Sequence, residues 1–134
     1  MAIKFHPKVG TVLFCDFTGF VAPEMVKGRK VIVISSPNRN NQLVTVVPIS
    51  TSEPGHPKKW HIPLNKTSYR DHREYGATEW VKCDMIYTLR KERFSLVKRG
   101  KCAQSGKRLY DIRPIIKDDL DKVFCGIQSH LNLT

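Results

Sequence analysis

The sequence predicts a mainly β domain, a small and mostly antiparallel barrel or sandwich, with one C-terminal helix. Short runs of β-branched and aromatic residues alternate with turn-forming residues along most of the chain. After Asp119 the apolar residues recur instead at helical spacing. The length of 134 residues fits a single domain over residues 1–134, because one domain usually takes roughly 100 to 200 residues.

Two apolar strands are predicted to form the centre of the sheet. Residues 31–34 are all β-branched, and residues 43–49 form a second apolar run after a turn-rich segment. Residues 11–17 form an earlier strand, since they are rich in β-branched and aromatic residues. Pro48 cannot donate to a ladder of hydrogen bonds, so we expect the second central strand to break, bulge or become an edge near its end.

The remaining segments contain turn residues, short strands and charge. Residues 18–28 form a loop that we expect to be ordered in part over a binding surface, and residues 51–59 form a second loop. A short strand over 60–64 and a strand over 79–89 enclose a polar segment, either a loop or a short irregular helix. Residues 90–108 hold eight basic residues and one acidic one, and a solvated loop explains them at least as well as direct contact with a substrate.

The C-terminal segment has the period of an amphipathic helix. Asp118 and Asp119 suit the first turn of this helix, because carboxylates are favourable at a helix N-terminus. We expect the apolar stripe to pack across the sheet as core, without a chemical role: Leu120, Val123, Phe124, Ile127 and Leu131.

The net charge of +11 is the first indication of function. Such an excess on a short chain points to a polyanionic partner, because a basic surface concentrates phosphate-bearing molecules. The alternative, that the protein is simply basic, stays open on charge alone.

Several classes of protein are disfavoured. No apolar run approaches the ~18 to 20 residues of a membrane-spanning helix. The four cysteines are widely spaced, without a Cys-x-x-Cys pair, and no histidine spacing suggests zinc, so we expect no metal or other cofactor. The N-terminus lacks the apolar core of a secretion signal, which predicts a reducing, cytoplasmic location.

Polar residues at strand ends are the candidates for chemistry. Arg29 precedes the buried run 31–34, where a fixed guanidinium binds phosphate oxygens, although an ion pair with Glu24 explains it equally well. Ser50 and Thr51 follow Pro48 and can donate to phosphate or satisfy local backbone groups.

A second candidate group lies further along the chain. Lys82 and Asp84 are two apart in a predicted strand and would share a face, as an acid and base pair or as a surface ion pair. Thr78 lies just before that strand and, by itself, indicates almost nothing about function.

In their order along residues 9–97, these motifs resemble the PemK/MazF family of toxin–antitoxin ribonucleases. The resemblance rests on the runs KVIVIS, VVPISTS and TEWVKCDMIYTL, together with Glu24 five residues before Arg29. It implies an SH3-like barrel of the type shared with the gyrase poison CcdB. It also implies a homodimer that cuts single-stranded RNA without metal and is bound by an acidic antitoxin.

The resemblance also implies roles for single residues. Arg29 matches a phosphate-stabilising arginine, Asp84 a proposed general base, and Lys82 an arginine proposed as the acid. Ser50, with Thr51 beside it, stands where the family usually has a catalytic threonine. Thr78 matches a threonine that helps to hold RNA, and Glu24 a glutamate near the active-site loop.

The sequence departs from the family pattern at three positions. Lys30 replaces a proline after the arginine, Pro23 replaces a histidine, and Lys82 replaces an arginine and so loses the bidentate fork. The basic segment 98–113 is longer than the family's short turn, and we expect it to affect substrate or partner specificity.

Two questions stay open at the level of the sequence. Glu24, His56 and His61 are reserve candidates for the base, because cations around Asp84 would make it a weaker one. The alternative to an enzyme is a non-catalytic toxin or binding module on the same fold.

Aromatic side chains that could stack on unpaired bases are Phe20, Trp60 and Tyr87.

Overall fold

Eight β-strands and one C-terminal α-helix make up the described part of the chain, which confirms the predicted fold class. The computed structural model describes residues 2–36, 42–65, 68–69, 78–101, 103–111 and 113–133. The elements are β1 (Val12–Cys15), β2 (Arg29–Val33), β3 (Leu43–Ser50), β4 (His61–Pro63), β5 (Trp80–Lys82), β6 (Tyr87–Arg90), β7 (Phe94–Lys101), β8 (Arg108–Asp111) and α1 (Lys117–Leu131).

All strand pairs are antiparallel, and the order across the sheet is β4-β5-β3-β2-β1-β7-β8. The long strand β3 pairs with β2 along one side. Along its other side it pairs first with β6 and then with β5. The prediction that the two apolar runs form the centre of the sheet is confirmed, because residues 31–33 and 46–50 are buried.

A break in the line formed by β5 and β6 lies beside Pro48. On β3, Ile49 pairs with Val81 and Val46 pairs with Tyr87, so three steps along β3 correspond to six along the opposite segment. The predicted single strand over 79–89 is therefore wrong: Cys83 and Asp84 form a turn between two short strands.

This break also explains why Pro48 is tolerated inside a strand. Pro48 lies opposite Val31 of β2 and is fully buried, and β3 continues past it to Ser50. On the other side of β3, neither β5 nor β6 pairs with residues 47 and 48, so no hydrogen-bond donor is needed there. The expected break or edge in β3 itself does not occur.

The sheet has a core on each face. The helix-side core lies between the sheet and α1 and includes Val47, Val81, Val123 and Ile127. The loop-side core lies on the opposite face, where Phe20 and Met25 of loop 18–28 cover Val31 and its neighbours. The prediction that loop 18–28 is ordered in part agrees with this packing.

Helix α1 packs on the sheet through a narrower stripe than its sequence predicts. Val123 and Ile127 are buried, but Phe124 and Leu131 are 36% and 49% exposed, so the expectation that both belong to the core is wrong. Gly126 allows close approach, because a Cβ there would lie 3.0 Å from the Cys83 sulfur. The carboxylate of Asp119 is buried and accepts a hydrogen bond from Asn65 N at 3.0 Å.

The basic region 90–108 was interpreted from the sequence as a solvated loop. That interpretation is wrong, because most of the region forms regular structure. A single 3-10 turn (Lys91–Arg93) leads into the hairpin of β7 and β8, in which Phe94 and Val97 are buried. Most of the polar segment 65–78 lies outside the described residues. No helix among the described residues is long and apolar enough to cross a membrane.

Candidate active site

Three neighbouring strands bring Arg29, Ser50 and Trp80 into one row. Ser50 pairs directly with Trp80. Val31 pairs with Pro48, and continuing that antiparallel register to the start of β2 sets Arg29 opposite Ser50. Side chains in one row of a sheet point to the same face, here the loop-side face that Val31 also occupies. The row joins two residues that the sequence analysis named separately.

Arg29 is half-buried at the first position of β2. Its Nε atom is buried and has no hydrogen-bond partner within the described part of the chain. A buried polar atom without a partner costs about 1–3 kcal/mol, so native proteins rarely retain one without a function. Arg29 is not paired with Glu24 among the described residues, which disfavours the simple ion-pair interpretation.

Asp84, at the break between β5 and β6, also has a buried side-chain atom without a hydrogen-bond partner in the described part of the chain. Its Oδ1 atom is buried and unpartnered among the residues that the structure describes. The turn that holds it is fixed by two backbone hydrogen bonds, from Met85 N to Lys82 O (3.1 Å) and from Cys83 N to Trp60 O (3.0 Å). The candidate acid and the candidate base therefore do not share one strand face, as the sequence analysis expected, because β5 ends at Lys82.

Lys82 and Thr78 lie at the two ends of the β5 segment, and both are half-buried. Lys82 shares the loop-side face with Trp80, since residues two apart in a strand point the same way. It pairs with His61 of β4. The Nδ1 atom of His61 accepts a hydrogen bond from Lys58 N at 3.0 Å, which leaves Nε2 as the ring nitrogen for other contacts.

The two hydroxyl residues at the end of β3 have different surroundings. Ser50 is buried, and its Oγ atom accepts a hydrogen bond from Ser52 N at 3.1 Å. This is the local backbone contact that the sequence left as an alternative, but the hydroxyl can still donate its own proton. Thr51 is exposed just beyond the strand.

Loop 18–28 is held to the sheet by its own contacts. A carboxylate oxygen of Glu24 accepts from Val21 N at 3.0 Å, and Glu24 N donates to Val21 O at 2.9 Å. Met25 N donates to the Tyr87 hydroxyl at 3.0 Å. Glu24 thus stabilises a turn of its own loop, which weakens its candidacy as a base.

The aromatic candidates are packed to different degrees. The ring of Phe20 contacts Phe17 and Tyr87, with centroids 5.4 and 5.6 Å away, and the Arg93 guanidinium lies 5.1 Å from its centroid. Trp60 is half-buried with His130 edge-on at 5.4 Å. His56 is exposed in the loop between β3 and β4. Phe20 therefore anchors the loop, whereas part of Trp60 stays accessible.

A buried polar group that the sequence analysis missed lies behind the row. The Nζ atom of Lys30 donates to the Tyr69 hydroxyl at 2.6 Å and forms an ion pair with Glu79. The Tyr69 hydroxyl donates to Oε1 of Glu79 at 2.8 Å. We call Lys30, Tyr69 and Glu79 the clamp. The sequence signals for it were the departure at Lys30 and the place of Glu79 in the run TEWVKCDMIYTL, and neither indicated that the two side chains meet at Tyr69.

The two buried thiols of the described residues are unsuited to nucleophilic chemistry. Burial raises the pKa of Cys15 and of Cys83 to about 12, so both thiols are protonated and unreactive near neutral pH. No group of three His, Cys, Asp or Glu side chains with metal-binding geometry occurs among the described residues.

Comparison with known proteins gives one family and one fold. The family model described as PemK-like, MazF-like toxin of type II toxin–antitoxin system matches residues 8–114. A protein of Haemophilus influenzae is 34% identical over 106 residues, which cover 66% of this chain and 70% of the relative.

Two solved structures share the fold at low sequence identity. A mycobacterial endoribonuclease in complex with its cognate antitoxin has a TM-score of 0.64 and 18% identity, over 96% of this chain and 97% of the other. MazF from Deinococcus radiodurans also has a TM-score of 0.64 and 18% identity, over 96% and 99% of the two chains.

Proposed function

The chain belongs to the PemK-like, MazF-like family of toxins of type II toxin–antitoxin systems, and we propose that it is a sequence-selective endoribonuclease that cuts single-stranded RNA without a metal ion. Structural relatives of this fold are described as endoribonucleases. The net charge of +11 suits an RNA substrate, since phosphates dominate affinity for nucleic acids.

The proposed reaction is attack by a ribose 2′-hydroxyl on the adjacent phosphorus. A bond forms between O2′ and phosphorus while the bond from phosphorus to O5′ breaks, which gives a 2′,3′-cyclic phosphate and a 5′-hydroxyl. A base removes the proton of the 2′-hydroxyl, and an acid donates a proton to the leaving O5′. Cations and hydroxyl donors stabilise the charge that develops on the phosphoryl oxygens.

The observation that carries this proposal is the pair of unpartnered buried atoms, Arg29 Nε and Asp84 Oδ1. A guanidinium donor matches a phosphoryl oxygen, and a carboxylate oxygen matches the proton of a 2′-hydroxyl. We assign Arg29 to the phosphate and Asp84 to the base. Lys82 is the proposed acid, and Ser50 with Thr51 assists Arg29 in stabilising the phosphoryl oxygens.

The other proposed contacts follow from position. His61 is the best reserve base, because it pairs with Lys82 across β4 and β5. Thr78 and Trp60 are proposed to hold RNA near this row. His56 and Glu24 would act from the loops beside it, and Phe20 by positioning loop 18–28.

Two partners are proposed besides RNA. A homodimer and a cognate acidic antitoxin follow from the family. A structural relative is itself described in complex with its cognate antitoxin. An acidic, partly disordered antitoxin segment would gain charge pairing on this basic protein that offsets the entropy of ordering.

The test is cleavage of single-stranded RNA by the purified protein in EDTA. We expect cleavage products that end in a cyclic phosphate. Arg29→Ala and Asp84→Asn should each lower kcat by roughly 100-fold or more, as expected when a phosphoryl-stabilising or acid–base group is removed.

Two variants on exposed positions of α1 are matched controls. Lys122→Ala removes one positive charge and Asp121→Asn one negative charge outside the site, and both should retain wild-type rates. Intact RNA with the wild-type protein, or cleavage that survives both site substitutions, would reject the proposed enzyme. Intact RNA together with a stable complex would support the binding module instead.

A further inference from the structure

We propose that the clamp, Lys30 with Tyr69 and Glu79, is a set of positioning residues that holds the Arg29–Ser50–Trp80 row in its reactive geometry. This inference rests on the proposed function and adds residues that do not touch the RNA. Lys30 is also a position at which this chain departs from the family pattern.

The clamp crosses the sheet directly behind the row. Lys30 follows Arg29 in β2, and Glu79 precedes Trp80 of β5, so the ion pair joins two strands that are separated by β3. Neighbouring strands are about 4.8 Å apart, so the side chains of Lys30 and Glu79 together bridge about 10 Å beneath β3. Both ends of the clamp are therefore adjacent in sequence to a residue of the row.

Alternation along the strand couples the clamp to the site. Because successive side chains point to opposite faces, Lys30 turns to the helix-side core, where Tyr69 is buried, and Arg29 turns to the loop-side face. The backbone of Glu79 is also fixed, since its carbonyl accepts from Leu64 N at 2.9 Å. A Lys30 side chain held at both Tyr69 and Glu79 limits how far the start of β2 can twist or slide.

The burial of the clamp indicates a role in specifying geometry. Glu79 and Tyr69 are each 2% exposed, and the side chain of Lys30 is 25% exposed. A buried ion pair can often be replaced by apolar residues without loss of stability, because desolvation offsets much of the Coulomb attraction. Its selective value then lies in the arrangement that it enforces, here the alignment of Arg29 with Ser50 and Trp80.

The experiment compares a triple variant, Lys30→Met with Tyr69→Phe and Glu79→Leu, to the wild-type protein. Tyr69→Phe is included because the buried Tyr69 hydroxyl would otherwise lose its bonds to Lys30 and Glu79. The apolar replacements keep side-chain volume, so we expect the urea midpoint to stay close to that of the wild type. We expect kcat for RNA cleavage to fall about tenfold or more with KM changed less than twofold, because small misplacement of a reacting group is costly. The control variant, Lys122→Gln with Asp121→Asn, also removes one positive and one negative charge, but from exposed positions of α1. It should change neither the urea midpoint nor kcat.

A second readout does not depend on activity. The Nε–H resonance of Arg29, identified by its loss in Arg29→Lys, should shift or broaden in the clamp variant and stay unchanged in the control. Glu79→Gln, which retains the hydrogen bond to Tyr69 but removes the charge, should give an intermediate fall in kcat.

The outcomes separate the two proposals. If the wild type leaves RNA intact, the proposed function fails while the Arg29 resonance still tests the clamp. An unchanged Arg29 resonance in a folded clamp variant would overturn the positioning role, whatever happens to activity. A shifted resonance with unchanged kcat would overturn it as well, because the geometry would then not matter for the reaction.

Discussion

At the scale of the residue, burial decides which polar atoms are available for chemistry. Arg29 and Asp84 each have a buried side-chain atom without a partner in the described residues, whereas Glu24 is bound within its own loop. Ser50 lies between these cases, since it accepts a local hydrogen bond and keeps a proton to donate. Its proposed role is therefore that of a donor to the phosphoryl oxygen.

We predict that Ser50→Ala lowers kcat by roughly 10- to 100-fold, because one hydrogen-bond donor to developing charge is removed. Ser50→Thr should retain most activity, since the hydroxyl is kept. Single-turnover RNA cleavage measures both. Thr51→Ala is the comparison at the exposed neighbouring position, and a fall in kcat there larger than that of Ser50→Ala would exchange the two roles.

At the scale of the element, the break between β5 and β6 creates the position of Asp84. Between β5 and β6 the chain has three more residues than the stretch of β3 beside Pro48 that it faces. The extra residues allow a turn, and this turn includes the carboxylate of Asp84. Helix α1 supports this turn from behind. The sulfur of Cys83 donates to Val123 O at 3.5 Å, and Gly126 leaves room for that sulfur.

Replacement of Gly126 by valine should therefore destabilise the fold. A Cβ at this position would lie 3.0 Å from Cys83 Sγ and 3.2 Å from Ile62 Cγ1, and the further methyl groups must displace one of them. We expect a decrease of about 1–3 kcal/mol in the free energy of unfolding, the usual cost of overpacking. Urea denaturation measures it, with Gln128→Val on the exposed side of α1 as control. Equal stability of the two variants would show that α1 does not pack tightly on the turn.

At the scale of the whole molecule, most of the basic residues behind the net charge of +11 lie outside the row of Arg29, Ser50 and Trp80. Arg29 and Lys82 are the cations proposed at the scissile phosphate. The hairpin of β7 and β8 adds exposed lysines at Lys98 and Lys107. Exposed charges outside the proposed site attract a polyanion without taking part in the reaction.

We predict that Lys98→Glu with Lys107→Glu weakens RNA binding and leaves kcat at saturating RNA unchanged. The slope of log affinity against log salt should also decrease, by about 0.7 for each phosphate of a single strand that the variant no longer neutralises. Fluorescence anisotropy with an oligonucleotide that lacks the reacting 2′-hydroxyl measures binding apart from cleavage. Unchanged RNA affinity would contradict the steering role and leave the antitoxin as the partner of this hairpin.

The fold class, the central strands and the family could all be predicted from the sequence alone. Continuous β-branched runs must be buried on both faces of a sheet, and the helical period of the last segment is equally direct. The order of motifs along residues 9–97 named the family that the matched region 8–114 confirms. These features depend on local pattern, which a sequence displays without knowledge of contacts.

Which of the named residues lie close together depends on the packing of the whole fold and could not be predicted from the sequence. A strand over 79–89 would have set Lys82 and Asp84 on one face, but β3 is shared by β5 and β6, and that sharing forces the turn at Asp84. The clamp depends on Lys30, Tyr69 and Glu79, which are far apart in sequence and meet because β2 and β5 flank β3. Register between distant strands and the burial of single atoms arise from packing of the whole sheet, and no local pattern encodes them.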